Sequence, residues 1–116
     1  MEGAGEDPYL GSRVVEVSAR LSGRRPGQKQ HLAACVKHYA AADSRRWARL
    51  QHGRYERTTT ARNGAATPFE AAAKAGSATF MNAFNTLNGV PASMNKHLVT
   101  DILRGEWGWK GMVVSD

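Results

Sequence analysis

The chain has 116 residues, a formal net charge of +6, one cysteine and an isoelectric point near 10.0. That length suits one small domain or a piece of a larger one, and it excludes a closed eight-stranded barrel or a multidomain enzyme within these residues. Cys35 has no partner for an internal disulfide, no His or Cys cluster has zinc-ligand spacing, and no apolar run nears the ~20 residues of a membrane span.

Met1 is followed by Glu2, Gly3 and Ala4 rather than by a basic-then-apolar leader. A soluble chain, or a piece of something soluble, is therefore expected, with no metal, no cofactor and no membrane contact. From Pro8 to Leu21, Leu10, Val14, Val17 and Leu21 recur every three or four residues, which predicts an amphipathic helix capped by Asp7. Gly23 to Gln30 mixes Gly, Pro and charge and reads as a loop. The apolar run Leu32-Ala33-Ala34-Cys35-Val36, closing on Lys37-His38-Tyr39, suits a strand buried on both faces with polar residues at its C-terminal end. The alanine-rich stretch between Pro68 and Ala75 predicts a second helix, stopped by Gly76. Ser77 to Phe84 predicts a second strand, and Asn88-Gly89-Val90-Pro91 a turn. Asn95 caps a third helix with Leu98, Ile102 and Leu103 on one face and Gly105 at its end. Trp107-Gly108-Trp109-Lys110-Gly111 breaks it, and Gly111 to Val114 forms a third strand that stops short of Ser115-Asp116. Helix and strand alternate three times, which implies an α/β fold with a parallel sheet and right-handed crossovers. Three strands make either a small open sheet or a slice of a larger domain.

One stretch stands apart. Residues 44–67 carry Arg45, Arg46, Arg49, Arg54, Arg57 and Arg62 against the single acid Glu56, so five of the six net charges lie there. Neither a period of 2 nor one of 3.6 is sustained. The stretch reads first as a solvated connection, the commoner fate of charge-rich segments, and is also compatible with a basic arm that binds nucleic-acid phosphates, with Trp47 and Tyr55 as stacking platforms. The second reading makes the chain a small basic α/β nucleic-acid-binding module.

Three separated blocks resemble glycoside hydrolase family 3 in its bacterial β-glucosidase branch. They are Glu2 to Ser12 (EGAGEDPYLGS), Ala33 to Ala41 (AACVKHYAA), and Phe69 onward with MNAFN, NGVPA and LRGEWGWKGMVVSD. The blocks keep family order and spacing. The resemblance implies a fragment of a TIM-barrel-like catalytic domain, with about three parallel strands and three helices and the barrel not closed. It implies that Asp116 is the nucleophile of a retaining hydrolase. An acid after an apolar strand also suits the C-terminal rim where barrel enzymes keep their chemistry. The second carboxyl of such a pair lies roughly 5 Å from the first and protonates the leaving oxygen; in the family it comes well after the nucleophile, beyond these 116 residues.

The resemblance further implies that Lys37 and His38 donate hydrogen bonds to sugar hydroxyls and that Met81 and Phe84 line the same subsite. Phe84 stands where other members carry Tyr, and Glu6 and Asp7 match an acidic pair taken as structural. Tyr39-Ala40-Ala41 follows the Lys-His pair where β-N-acetylhexosaminidases carry a Pro-Gly-His-Gly-like loop, which points to β-linked glucosides or xylosides. The isolated chain is expected not to turn over β-glucosides, because half the catalytic pair and the remaining barrel strands belong to the rest of the enzyme.

Family likeness lapses across the arginine-rich stretch. There the family continues with a segment like Gly-Gly-Arg-Asp-Tyr-Asn-Thr-Val-Asp-Met-Ser-Glu. Permitted codons for residues 48–57, read one nucleotide along, spell Arg-Asp-Tyr-Asn-Thr-Val-Asp-Met-Ser. Gln51 followed by His52 allows only Asn or Ser in that frame, and His52 followed by Gly53 only Thr or Met. A frame change near Asp43 or Ser44, restored near Thr67 or Pro68, accounts for both the lapse and the arginines.

Overall fold

The computed structural model describes residues 7–22, 33–40, 67–87 and 89–116. The loop expected at Gly23 to Gln30, the acid Glu6 and the arginine-rich residues 44–66 lie outside that set. Helix α1 (Pro8–Ser22) starts as expected: the Asp7 carboxylate accepts hydrogen bonds from the Tyr9 and Leu10 amides at 2.8 and 3.3 Å. Helix α2 (Thr67–Lys74) ends at Gly76, whose φ of +88° lets the Gly76 and Ser77 amides reach back to the Ala73 and Ala72 carbonyls. The third helix, α3 (His97–Glu106), is capped by Asn95 Oδ1, which accepts from the Leu98 amide at 3.2 Å. It is wound as a π-helix, with the Trp107 amide donating to the Ile102 carbonyl five residues back. Steps of four and five residues from Leu98 to Ile102 and Leu103 suit that wider winding and bury all three.

Strands β1 (Cys35–Tyr39), β2 (Thr79–Asn82) and β5 (Met112–Val114) form an open parallel sheet in the order β1-β2-β5. The α/β fold with three parallel strands and three helices is thus present. Two further strands, β3 (Thr86–Leu87) and β4 (Val90–Pro91), pair antiparallel where a turn alone was expected. Gly89, at φ +79°, supplies the backbone that so tight a hairpin requires.

The core lies between the sheet and its helices. Tyr39, Phe80, Leu98, Ile102 and Leu103 are almost wholly buried, and each large apolar side chain there contributes about 1.5–3 kcal/mol by leaving water. The Tyr39 ring meets Phe69, Phe80 and Trp107 edge-on at 5.3 to 5.9 Å, and Trp109 packs on Phe80 at 4.8 Å.

Two expectations about burial need correction. The stripe Leu10, Val14, Val17 on α1 remains about half exposed; the helix turns Gly11, Val15 and Ala19 inward instead. Small residues let α1 approach α2 closely, so they occupy the helix contact and the larger stripe faces out. Nor is β1 buried on both faces: Cys35 and Lys37 are exposed, since only the side carrying Val36 and Tyr39 meets the helical layer. Among the described residues, no helix is long and apolar enough to cross a membrane.

Candidate active site

All three parallel strands point their C-terminal ends the same way, and those ends carry most of the polar residues singled out by sequence. On β2, Phe80 and the buried Asn82 alternate with the partly exposed Thr79 and Met81. On β5, Val113 packs on the helical core, which leaves Met112 and Val114 on the opposite face beside their register partners Thr79 and Met81. Asp116 continues that alternation two residues past Val114.

Sheet order then determines which groups meet. His38 leaves the end of β1 and Asp116 follows β5, with β2 between them. The His38 Nε2 atom lies 3.8 Å from Asp116 Oδ2, and the two side chains are 23% and 29% exposed. A half-buried acid and imidazole at that distance attract when the imidazole is protonated, and both remain open to a ligand from the solvent side. The ladder between β1 and β2 is irregular between Val36 and Tyr39, the interval that holds Lys37 and His38. A break of this kind re-aims side chains at a strand end.

The other expected residues are placed less uniformly. Lys37 is exposed beside His38. Met81 is half-buried and pairs with Val114, within two residues of Asp116. Phe84 lies just past β2 and is 80% exposed, at the rim and not packed in the core. Among the described residues, no group of three or more His, Cys, Asp or Glu side chains is arranged to hold a metal ion.

Sequence reasoning missed two features here. Tyr39 secures the site end of β1: its buried hydroxyl donates to the Leu98 carbonyl at 3.0 Å, and its own carbonyl accepts from the Ala83 amide at 2.8 Å. Burial pushes its phenol well above the ordinary tyrosine range, with the Glu106 charge adding to the effect. The second is Asn82, 4% exposed, whose Oδ1 has no hydrogen-bond partner among the described residues. Its sequence signal was a polar residue at the end of a short apolar strand, two positions past Phe80 and so on the same buried face.

Comparison with known proteins bears on this geometry. Residues 2–116 match the family described as glycosyl hydrolase family 3 N terminal domain. The chain is 36% identical over 121 residues to a periplasmic β-glucosidase of Salmonella typhimurium, covering 99% of this chain and 15% of that relative. A crystal structure of a β-glucosidase from Listeria innocua in complex with glucose superposes with a TM-score of 0.79 at 32% identity, over 99% of this chain and 16% of the other. A family 3 exo-β-xylosidase in complex with a xylobiose aziridine probe superposes at 0.82 with 27% identity, again over 99% and 16%. The chain therefore spans about 15% of the length of the curated relative.

Proposed function

The chain belongs to glycosyl hydrolase family 3, and on that premise we propose that it forms one side of a retaining β-glycosidase site with Asp116 as the nucleophile. The observation that carries the proposal is the Asp116 carboxylate beyond the C-terminal end of β5, 3.8 Å from His38. In this reading the carboxylate attacks the anomeric carbon of a β-linked glucoside or xyloside as the glycosidic oxygen departs. A second carboxyl, from the remainder of the enzyme, protonates that oxygen and then activates the water that releases the sugar.

Lys37 and His38 hold sugar hydroxyls, and donors so placed strengthen as charge develops in the transition state. Met81 and Phe84 offer apolar surface to the same sugar. The β-glucosidase and β-xylosidase named above support the substrate class, and the TIM-barrel-like fold of the family supports the rim position of the site.

The test joins this chain to the remaining length of a family member and applies an activity-based glucoside probe that alkylates the nucleophile. One sugar-sized mass increase on the peptide containing Asp116, absent from Asp116→Asn, is expected. Labelling of another residue, or none at Asp116 in an otherwise active protein, overturns the assignment. The 116-residue chain alone is expected to show no sustained hydrolysis of a chromogenic β-glucoside.

A further inference from the structure

We propose that Arg104, far from the strand ends that carry the site, is a positioning residue for Asp116: it clamps the start of β5 in the one register that delivers the carboxylate to His38. The proposal rests on the reading of Asp116 given above. Arg104 lies in the last turn of α3, half-buried, and its Nη1 donates to two carbonyls of the segment leading into β5, Trp109 at 3.2 Å and Gly111 at 2.7 Å. The guanidinium also stands 4.7 Å over the Trp109 ring. One charged group thus fixes two backbone positions, i and i+2, and the side chain between α3 and the sheet.

Trp109 carries the clamp onward to β2. Its indole Nε1 donates to the Ser77 carbonyl at 2.7 Å in a buried bond, and its amide donates to the Leu103 carbonyl at 3.1 Å. Gly111 then passes so close that a Cβ there would sit 2.2 Å from Trp109 Cζ2 and 2.3 Å from the Ala78 carbonyl oxygen. The next amide, Met112, donates to that same Ala78 carbonyl at 3.2 Å and opens the ladder Thr79↔Met112, Phe80↔Val113, Met81↔Val114.

Register is the quantity at stake. A three-residue strand has little hydrophobic pattern of its own with which to choose a pairing, and a slip of one residue reverses which face every side chain takes. Val113 would then leave the helical core, and Asp116 would turn away from the face it shares with Met112 and Val114. Loops can absorb such a slip only if residues 109–111 are free to shift, and the two hydrogen bonds from Arg104 hold them.

The experiment is nuclear magnetic resonance on the 116-residue chain, following two pairs of cross-relaxation signals: Met81 with Val114, which reports register, and the His38 ring with the Asp116 β-protons, which reports the site. Wild type is expected to show both. Arg104→Ala is expected to lose both while keeping the Tyr39 contacts with Leu98 and Phe69, and millimolar guanidinium chloride, far below denaturing levels, is expected to restore them by refilling the vacated position.

Persistence of both signals in Arg104→Ala overturns the proposal. So does their loss together with every other tertiary signal, because Arg104 would then support the whole fold and not the register; so does failure of guanidinium to restore them. None of these signals requires a substrate, so they fail or succeed independently of any result on hydrolysis.

Discussion

Replacing Tyr39 by Phe removes one buried hydroxyl and leaves the aromatic cluster of Phe69, Phe80 and Trp107 intact. At pH 7 the loss of the bond to the Leu98 carbonyl is expected to destabilise the chain by about 1 kcal/mol, the usual net worth of an intramolecular hydrogen bond. Alkaline pH adds an effect of opposite sign. The folded phenol is held above its ordinary range by burial, so it contributes stability that is whole below the unfolded value of about 10 and is lost as pH rises beyond it. At pH 11 the unfolded wild type gains about 1.4 kcal/mol by ionising Tyr39, a gain that Tyr39→Phe cannot make. The two proteins should therefore exchange order, wild type more stable at pH 7 and the variant equal or more stable at pH 11. Urea unfolding at both pH values, followed by tryptophan fluorescence, measures the two differences. Equal differences at both values would refute the reasoning, as would an unaltered midpoint at pH 7.

Gly111→Ala forces a methyl group against the Trp109 ring and the Ala78 carbonyl, and backbone on one side leaves little room to yield. A loss of about 1–3 kcal/mol, read as a fall in thermal midpoint, is expected from overpacking of this kind; an unchanged midpoint would mean that the 109–111 turn is free to move. The frame-change reading of residues 44–67, which we also propose, is checked on the nucleotide sequence: one nucleotide along, it should encode a segment close to Arg-Asp-Tyr-Asn-Thr-Val-Asp-Met-Ser. Any other product in that frame rejects it.

The helix boundaries were legible because they depend on local chemistry. Asp7, Gly76 and Asn95 each satisfy or release backbone groups within a few residues, and each stands where the sequence placed it. Strand ends were legible less sharply: Ser77 and Phe84 fall outside β2, because pairing with β1 and β5 sets its limits and neighbouring strands are remote in sequence. The inward face of α1 was misread for a related reason. Periodicity identifies the largest apolar stripe, whereas the approach of α2 selects the smallest, Gly11 with Ala19.

In the site, Asp116 and His38 were marked by their places after apolar runs and by family likeness, and the fold brings them together. Arg104 stands in the same family-like block, yet nothing in that block gave it a role. Its partners are backbone carbonyls, which every residue has, so no pattern of side chains could have announced them.

The parallel pairing of β1 with β2 has a consequence for tolerance to change. Thr79 Oγ1 donates to the Ala34 carbonyl 45 residues away, so forming this sheet closes a long loop. Closure entropy grows only with the logarithm of loop length, about 0.6 kcal/mol for each doubling. Insertions or deletions of a few residues between the strands thus alter the entropy of pairing very little, and rewritten residues of unchanged number leave this length term untouched. The closure term is thus nearly indifferent to what the connection contains, whereas α2, which lies within it and brings Phe69, Ala72 and Ala73 to the core, is held by packing and not by length.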